Sequence, residues 1–199
     1  MNIGLHVSNV LDKIYNIKIL DKKKNNIFDG EFTKIVYSDE NISLNGLYLY
    51  IPLLLEKSPP PVQTQYEYKN GGLANNAKVP FTKTNPIGKN ILYFQTNHSQ
   101  NSNYIQQLKQ LEKEIIDYYK DYMKSNKTPL YGIHTQLISG MIRFYRESAM
   151  DYSNTQEPKH YILKISGIWE SSTTIGVTYK FIEMAQINSN VNLYPNFHL

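Results

Sequence analysis

The chain predicts a mainly β fold with one long helix, and three observations lead there. Residues 161–184 alternate apolar and polar positions on both sides of a short polar run, as the arms of a β-hairpin do. Residues 102–125 repeat apolar side chains at spacings of three and four, which is the period of an amphipathic helix. Strand-like runs stand before and after that helix, so the order is strands, helix, strands. With bends at glycine, this order fits a five-stranded OB-type barrel with extensions, in which the helix sits between the third and fourth strands and plugs one end. A β-sandwich takes the same strands and is the second choice.

Taken from the start, residues 3–7 and 14–20 are short apolar segments open to strand or short-helix readings. Residues 21–26, with Lys22, Lys23 and Lys24 in a row, read as a solvated turn whose charges keep a sheet edge soluble. Residues 31–37 set Phe32, Lys34 and Val36 against Thr33, Ile35 and Tyr37, an amphipathic strand that turns at 39–41. Within 42–55, Leu47, Leu49 and Ile51 oppose Tyr48 and Tyr50, and Pro52 marks the strand's end or an edge. Residues 58–90 differ in kind, with eight Gly and Pro positions at Pro59, Pro60, Pro61, Gly71, Gly72, Pro80, Pro86 and Gly88. A loop this long is a functional element or an insertion.

Residues 91–95 form a short strand, and the helix over 102–125 follows, with Asn103 and Gln106 giving a capping-box start. Glu112, Lys113, Glu114, Asp117 and Lys120 are assigned to its solvated face. Residues 129–146 return to strand character with a bend at Gly140, and they hold both arginines of the chain, Arg143 and Arg146. In the hairpin, Tyr161, Leu163, Ile165, Gly167 and Trp169 fall on one face with Ile175, Val177, Tyr179 and Phe181, joined by a five-residue loop. Lys164, Ser166, Thr178 and Lys180 take the other face. One domain over 1–184 with a polar tail at 185–199 accounts for the whole pattern.

The 199 residues suffice for a normal core, and the absence of Cys excludes disulfides and thiolate metal sites. The first residues lack the pattern of a signal peptide, and no apolar run reaches the roughly 18 residues of a membrane span. A soluble intracellular protein without a membrane partner is expected. The formal net charge is +4 and the pI about 9.0, and the charge is unevenly spread. Residues 68–111 hold no acid but contain Lys69, Lys78, Lys83, Lys89 and Lys109.

Sequence motifs for phosphate loops, dinucleotide folds and serine nucleophile elbows are missing, and His6, His98, His134, His160 and His198 are scattered singly. Neither catalysis, a metal nor a cofactor is expected. What stands out is the interleaving of rings and cations. Arg143 beside Tyr145 on one strand face can grip a phosphate and stack a base, or can meet a carboxylate across the sheet. Trp169 ends a strand either as a core anchor or as a stacking platform.

The run Leu163, Lys164, Ile165, Ser166, Gly167, Ile168, Trp169 and Glu170, with Gly176, Val177, Thr178, Tyr179, Lys180 and Phe181, resembles the C-terminal part of single-stranded DNA-binding proteins of large nucleocytoplasmic DNA viruses. The resemblance covers about the last 80 residues. It implies an OB-type barrel that coats single strands during DNA replication, in the host cytoplasm or a viral factory, without cofactor. Residues 192–199 lack the acid of the tails through which phage and bacterial replication proteins recruit partners. The expected partners are single-stranded DNA, with RNA second, then replication proteins or further copies of the chain. The residues expected to bind are the rings Tyr48, Tyr50, Tyr145 and Trp169 and the cations Lys78, Lys83, Lys89, Arg143, Lys164 and Lys180. The competing expectation is a structural or interaction protein, such as a minor capsid or scaffold component, using the same β-rich body and its Tyr and Asn for protein interfaces.

Overall fold

The computed structural model describes residues 4–25, 29–56, 90–145 and 160–184. The long loop expected over 58–90, with Lys78, Lys83 and Lys89, lies outside these apart from its last residue, as do the 148–159 connection and the 185–199 tail.

The hairpin is the centre of the molecule. In chain order the strands are β1 (Ile17–Lys24), β2 (Glu31–Ser38), β3 (Ser43–Leu44), β4 (Leu47–Tyr50), β5 (Leu55–Glu56), β6 (Asn90–Phe94), β7 (Thr128–Leu130), β8 (Met141–Tyr145), β9 (Tyr161–Glu170) and β10 (Thr174–Glu183). They make one mixed sheet along the path β1-β2-β9-β10-β8-β6-β5. Two strands share each outer edge of the hairpin. Antiparallel β4 pairs with 162–165 and β2 with 167–170 of β9, while parallel β7 and β8 pair with the start and end of β10. The sheet is not closed, because β1 and β5 stand at opposite ends of the path rather than side by side.

The helices are α1 (Val7–Leu11), α2 (Ser99–Met123) and α3 (Gly132–Ile138). Instead of plugging a barrel end, α2 lies along one sheet face. Near its start the Tyr104 hydroxyl donates to the Tyr50 carbonyl at 2.8 Å, and near its end Tyr119 reaches Thr33 of β2 at 2.9 Å. Ile105, Leu108, Leu111, Ile115, Ile116 and Tyr119 are buried against Leu47, Leu49, Leu163, Ile165, Ile168, Ile175 and Phe181. Full burial of each such aliphatic side chain stabilises the fold by about 1.5–3 kcal/mol. The helix starts at Ser99 and ends at Met123, a few residues before the expected bounds. His98 caps its first turn by accepting from the Gln100 N–H, and Lys124 at φ 54 stops it in the left-handed conformation.

Several local expectations are corrected. The 21–24 run is strand rather than turn, and its Lys22 faces inward. The 42–55 stretch is broken into three short strands, with Gly46 at φ 111 between the first two. Residues 129–146 contain α3 between two strands. Its amide ends are capped from a distance by Glu112, which is fully buried and not solvated: its carboxylate accepts the Ile133 and His134 N–H groups, each at 2.9 Å. The hairpin loop is three residues, tied by the Ser171 hydroxyl accepting the Thr173 and Thr174 N–H groups.

The hairpin's inner face also changes partway. Thr178 pairs with Gly167 but Tyr179 with Ile165, so Ser166 is an extra residue, a β-bulge. Before the bulge Leu163 and Ile165 face the core, and after it Ile168 and Glu170 do. Trp169 is thereby turned to the opposite face from Leu163, against the alternation expected from sequence.

Candidate nucleic-acid interface

With α2 on one face of the sheet, the other face is built from the alternate positions of the same strands. Cross-strand register places these positions in rows. One row is Tyr50 of β4, Ile162 of β9, Ile182 of β10 and Tyr145 of β8. The next is Tyr48, Lys164 and Lys180, and the β8–β10 register continued by one residue sets Arg143 beside Lys180, with Ile91 of β6 beyond it. A row of cations therefore runs beside a row of apolar and aromatic side chains, across the same strands.

The rows are held in place from their flanks. The Lys164 ammonium sits 4.7 Å from the centre of the Tyr48 ring, a cation–π contact that fixes the long side chain. The Tyr50 ring stands between two histidines, edge-on to His6 at 6.2 Å and tilted to His160 at 6.0 Å, with its hydroxyl 3.4 Å from the His160 Nδ1. Arg143 and Tyr145 are exposed. Beyond the bulge the same face continues with Lys34 opposite Gly167 and with Phe32 opposite Trp169. Both rings cover glycines: a Cβ on Gly167 would lie 2.6 Å from Phe32, and one on Gly176 would lie 2.8 Å from Trp169. Among the described residues of β2, β4, β8, β9 and β10, no carboxylate occupies this face, and the charged side chains described on it are all cations.

Carboxylates go to the other side. Glu170 is 2% exposed and is held by Lys22 at 2.8 Å, by Lys127 at 2.8 Å and by a short hydrogen bond from the Tyr119 hydroxyl. Because the Tyr119 proton is given to Glu170, Thr33 donates its own to the Tyr119 oxygen. Burial alone would raise the Glu170 pKa, but the hydrogen bonds from Lys127, Lys22 and Tyr119 outweigh it and bring the value down to about 2. Burial would likewise lower the Lys22 pKa, and its contacts with Glu170 and Glu31 reverse this and raise it. Burial pushes the Tyr119 hydroxyl up to about 12. At neutral pH Glu170 is an anion between two ammonium groups, and the cluster joins β1, β2, β9, α2 and the segment before β7. It stiffens the sheet behind the positive face.

Of the residues expected to bind, Tyr48, Tyr50, Arg143, Tyr145, Lys164 and Lys180 are brought onto four neighbouring strands of one face. Trp169 lies on that face too, but at its far end beyond the bulge. Lys78, Lys83 and Lys89 lie outside the described residues. Lys34, Phe32, Ile162 and Ile182 were missed as members of the face. The first two carry a readable signal, since they alternate with the buried Thr33 and Ile35. Ile162 and Ile182 do not, because an isoleucine in a strand reads as core on either side.

Among the described residues no helix is long and apolar enough to cross a membrane, and no group of three His, Cys, Asp or Glu side chains could hold a metal ion. Comparison with protein-family models, with curated proteins and with solved structures gave no match to this chain.

Proposed function

We propose that the protein binds single-stranded nucleic acid, DNA first and RNA second, through the sheet face opposite α2, without reading base sequence. The role would be that of a replication or repair protein of the kind found in large nucleocytoplasmic DNA viruses. One observation carries the reading: Lys164, Lys180 and Arg143 line up beside Tyr50 and Tyr145 on a face with no carboxylate among its described central strands. Cations take phosphates, and rings take any base, since every base has a π face worth about 1–3 kcal/mol of stacking. This mode belongs to OB-type barrels and equally to open sheets, so it does not depend on closure. Tyr48 serves differently from the other rings, because its face is engaged by Lys164.

The test is fluorescence anisotropy with labelled oligo-dT at low salt beside a duplex of equal length. Binding that favours the single strand and weakens steeply with salt is the expected result. No binding to oligo-dT at low salt sinks the reading.

A second reading, an interaction protein that docks a partner on this face, draws on Ile91, Met141 and Tyr145, which are 44%, 38% and 45% exposed on adjacent strands. It predicts association without nucleic acid, seen as a concentration-dependent mass in sedimentation.

A further inference from the structure

Resting on the single-strand reading, we infer that His6 and His160 belong to the same interface and make its grip on nucleic acid tighten as the pH falls. Along the chain the two residues are isolated, and the fold brings them to one ring. Residues 4–6 run beside β4: the Leu5 N–H donates to the Tyr48 carbonyl at 2.8 Å and the Tyr50 N–H to the Leu5 carbonyl at 3.0 Å, with Leu5 paired in parallel to Leu49. Leu5 shares the inward parity of Leu49, so His6 takes the outward parity of Tyr50. At the other flank His160 stands just ahead of β9, and its carbonyl accepts the Met184 N–H at 2.9 Å. Three rings from three separate segments thus meet on the face opposite α2, with Tyr50 in the middle.

Exposure decides which of the three a ligand meets. Both imidazoles are exposed, and Tyr50 is half-buried between them. A neutral imidazole offers a stacking face to a base, and a protonated one offers two N–H donors and a full charge to a phosphate. The Tyr50 hydroxyl, 3.4 Å from the His160 Nδ1, donates to the neutral ring and accepts from the protonated one, so the ring stays placed through its titration. The groups around the pair do not cancel the new charge. Tyr48 and Lys164 stand in the neighbouring outward row, Tyr104 approaches from behind through the Tyr50 carbonyl, and Glu183, opposite Tyr161, has the inward parity. Helix α1, which follows His6, carries no charged residue. Among the described residues neither imidazole pairs with a carboxylate. An imidazolium here adds to the charge of Lys164, and the coupling is mutual: bound phosphate favours the protonated ring, and the protonated ring favours bound phosphate.

The test is oligo-dT anisotropy at pH about 7.5 and about 5.5, the range in which histidine takes up its proton while the thymidine phosphates keep their charge. Wild-type affinity should rise about five- to twentyfold on acidification, since an exposed ion pair adds at most about fivefold apiece. The slope of log K against log salt should steepen by about 0.7 for each imidazolium that meets a phosphate. The double variant His6→Gln, His160→Gln should lose most of the rise, and His6→Lys, His160→Lys should bind at the higher pH about as tightly as the wild type does at the lower. His134→Gln, on α3 beside α2, is the control and should behave as the wild type. Far-UV circular dichroism at both pH values establishes that each variant is folded. Calorimetry in buffers of different ionisation enthalpy gives a second readout: the wild type should take up protons on binding at about pH 6.5, and the Gln double variant should not. If oligo-dT binds with no pH dependence, or with the same dependence in the wild type and the Gln double variant, the role of the histidines is overturned while single-strand binding stands. If the wild-type protein binds no oligo-dT at either pH, the functional reading fails and takes this inference with it.

Discussion

Replacing Glu170 by Gln tests whether the buried charge cluster holds the sheet together. The carboxylate is 2% exposed, and two ammonium groups sit 2.8 Å from its oxygens. An amide offers one acceptor and sets its NH2 donors against a lysine, so one ammonium loses its partner in a dry site. Breaking a buried ion pair from one side costs about 3–5 kcal/mol. The pKa gives a second route to the figure. A fall from 4.5 to about 2 corresponds to about 3 kcal/mol of stability at neutral pH. The sign follows from the direction: a depressed carboxylate contributes fully above 4.5, and the contribution is lost as pH falls from there toward 2. Lys22 is 26% exposed in its side chain, so the lower end is expected, about 3 kcal/mol. Urea unfolding at pH 7 should show that loss, with a melting temperature lower by about 6–12 °C. Between pH 4.5 and 2 the wild type should lose more stability than the variant, by a similar amount. A variant within about 0.5 kcal/mol of wild type at pH 7, or an equal acid slope in both, would refute the assignment.

Three further outcomes follow from single contacts. Glu112→Ala should cost about 1–3 kcal/mol by leaving the α3 N–H groups without their acceptor, measured by urea unfolding. Burial raises the Glu112 pKa against the lowering effect of the His134, Ile133 and Gly132 N–H groups. Its pH dependence therefore opposes that of Glu170: the wild type loses stability as pH rises from 4.5 through the folded value, and Glu112→Gln should flatten that loss. Gly167→Ala should destabilise by roughly 1–3 kcal/mol or block folding, because its Cβ would lie 2.4 Å from the Thr33 carbonyl oxygen; a thermal melt equal to wild type contradicts the geometry. Tyr48→Leu should weaken oligo-dT binding about two- to fivefold by releasing Lys164, the effect of a cation–π contact of about 0.5–1 kcal/mol, and should leave stability nearly unchanged.

Alternation made the hairpin legible from sequence, and heptad-like spacing did the same for α2. Both signals are local, and over most of its length each element buries one regular face. What broke the reading was each place where the chain departs from a single period. The extra residue at Ser166 turns Trp169 outward, and no residue type announces such a bulge in advance. The seven residues of α3 are too few to show a helical period, and Pro129 and Gly140 on either side resemble strand punctuation. Glu112 was open to a better reading. It stands four residues after Leu108 and three before Ile115, inside the apolar stripe, so its position argued for burial where its charge argued for solvent. The six expected binding residues now found on one face were chosen from ring and cation placement alone, and pairing across strands is what unites them. That pairing depends on contacts between residues far apart in the chain. Lys22 and Lys127 meeting Glu170 is the same case, because their partners are set by topology.

A charge reversal matched for net charge tests the sheet face opposite α2 most directly. The variant Lys164→Glu, Lys180→Glu, Arg143→Glu and the control Lys109→Glu, Lys113→Glu, Lys120→Glu on α2 change the formal charge equally, and the control residues share one side of that helix. Oligo-dT anisotropy at low salt should fall about a hundredfold or more in the first, since each lost charged contact is worth about 1.5–3 kcal/mol, and only a few-fold in the control. Equal losses in both, or a larger loss in the control, would contradict the assignment of this face.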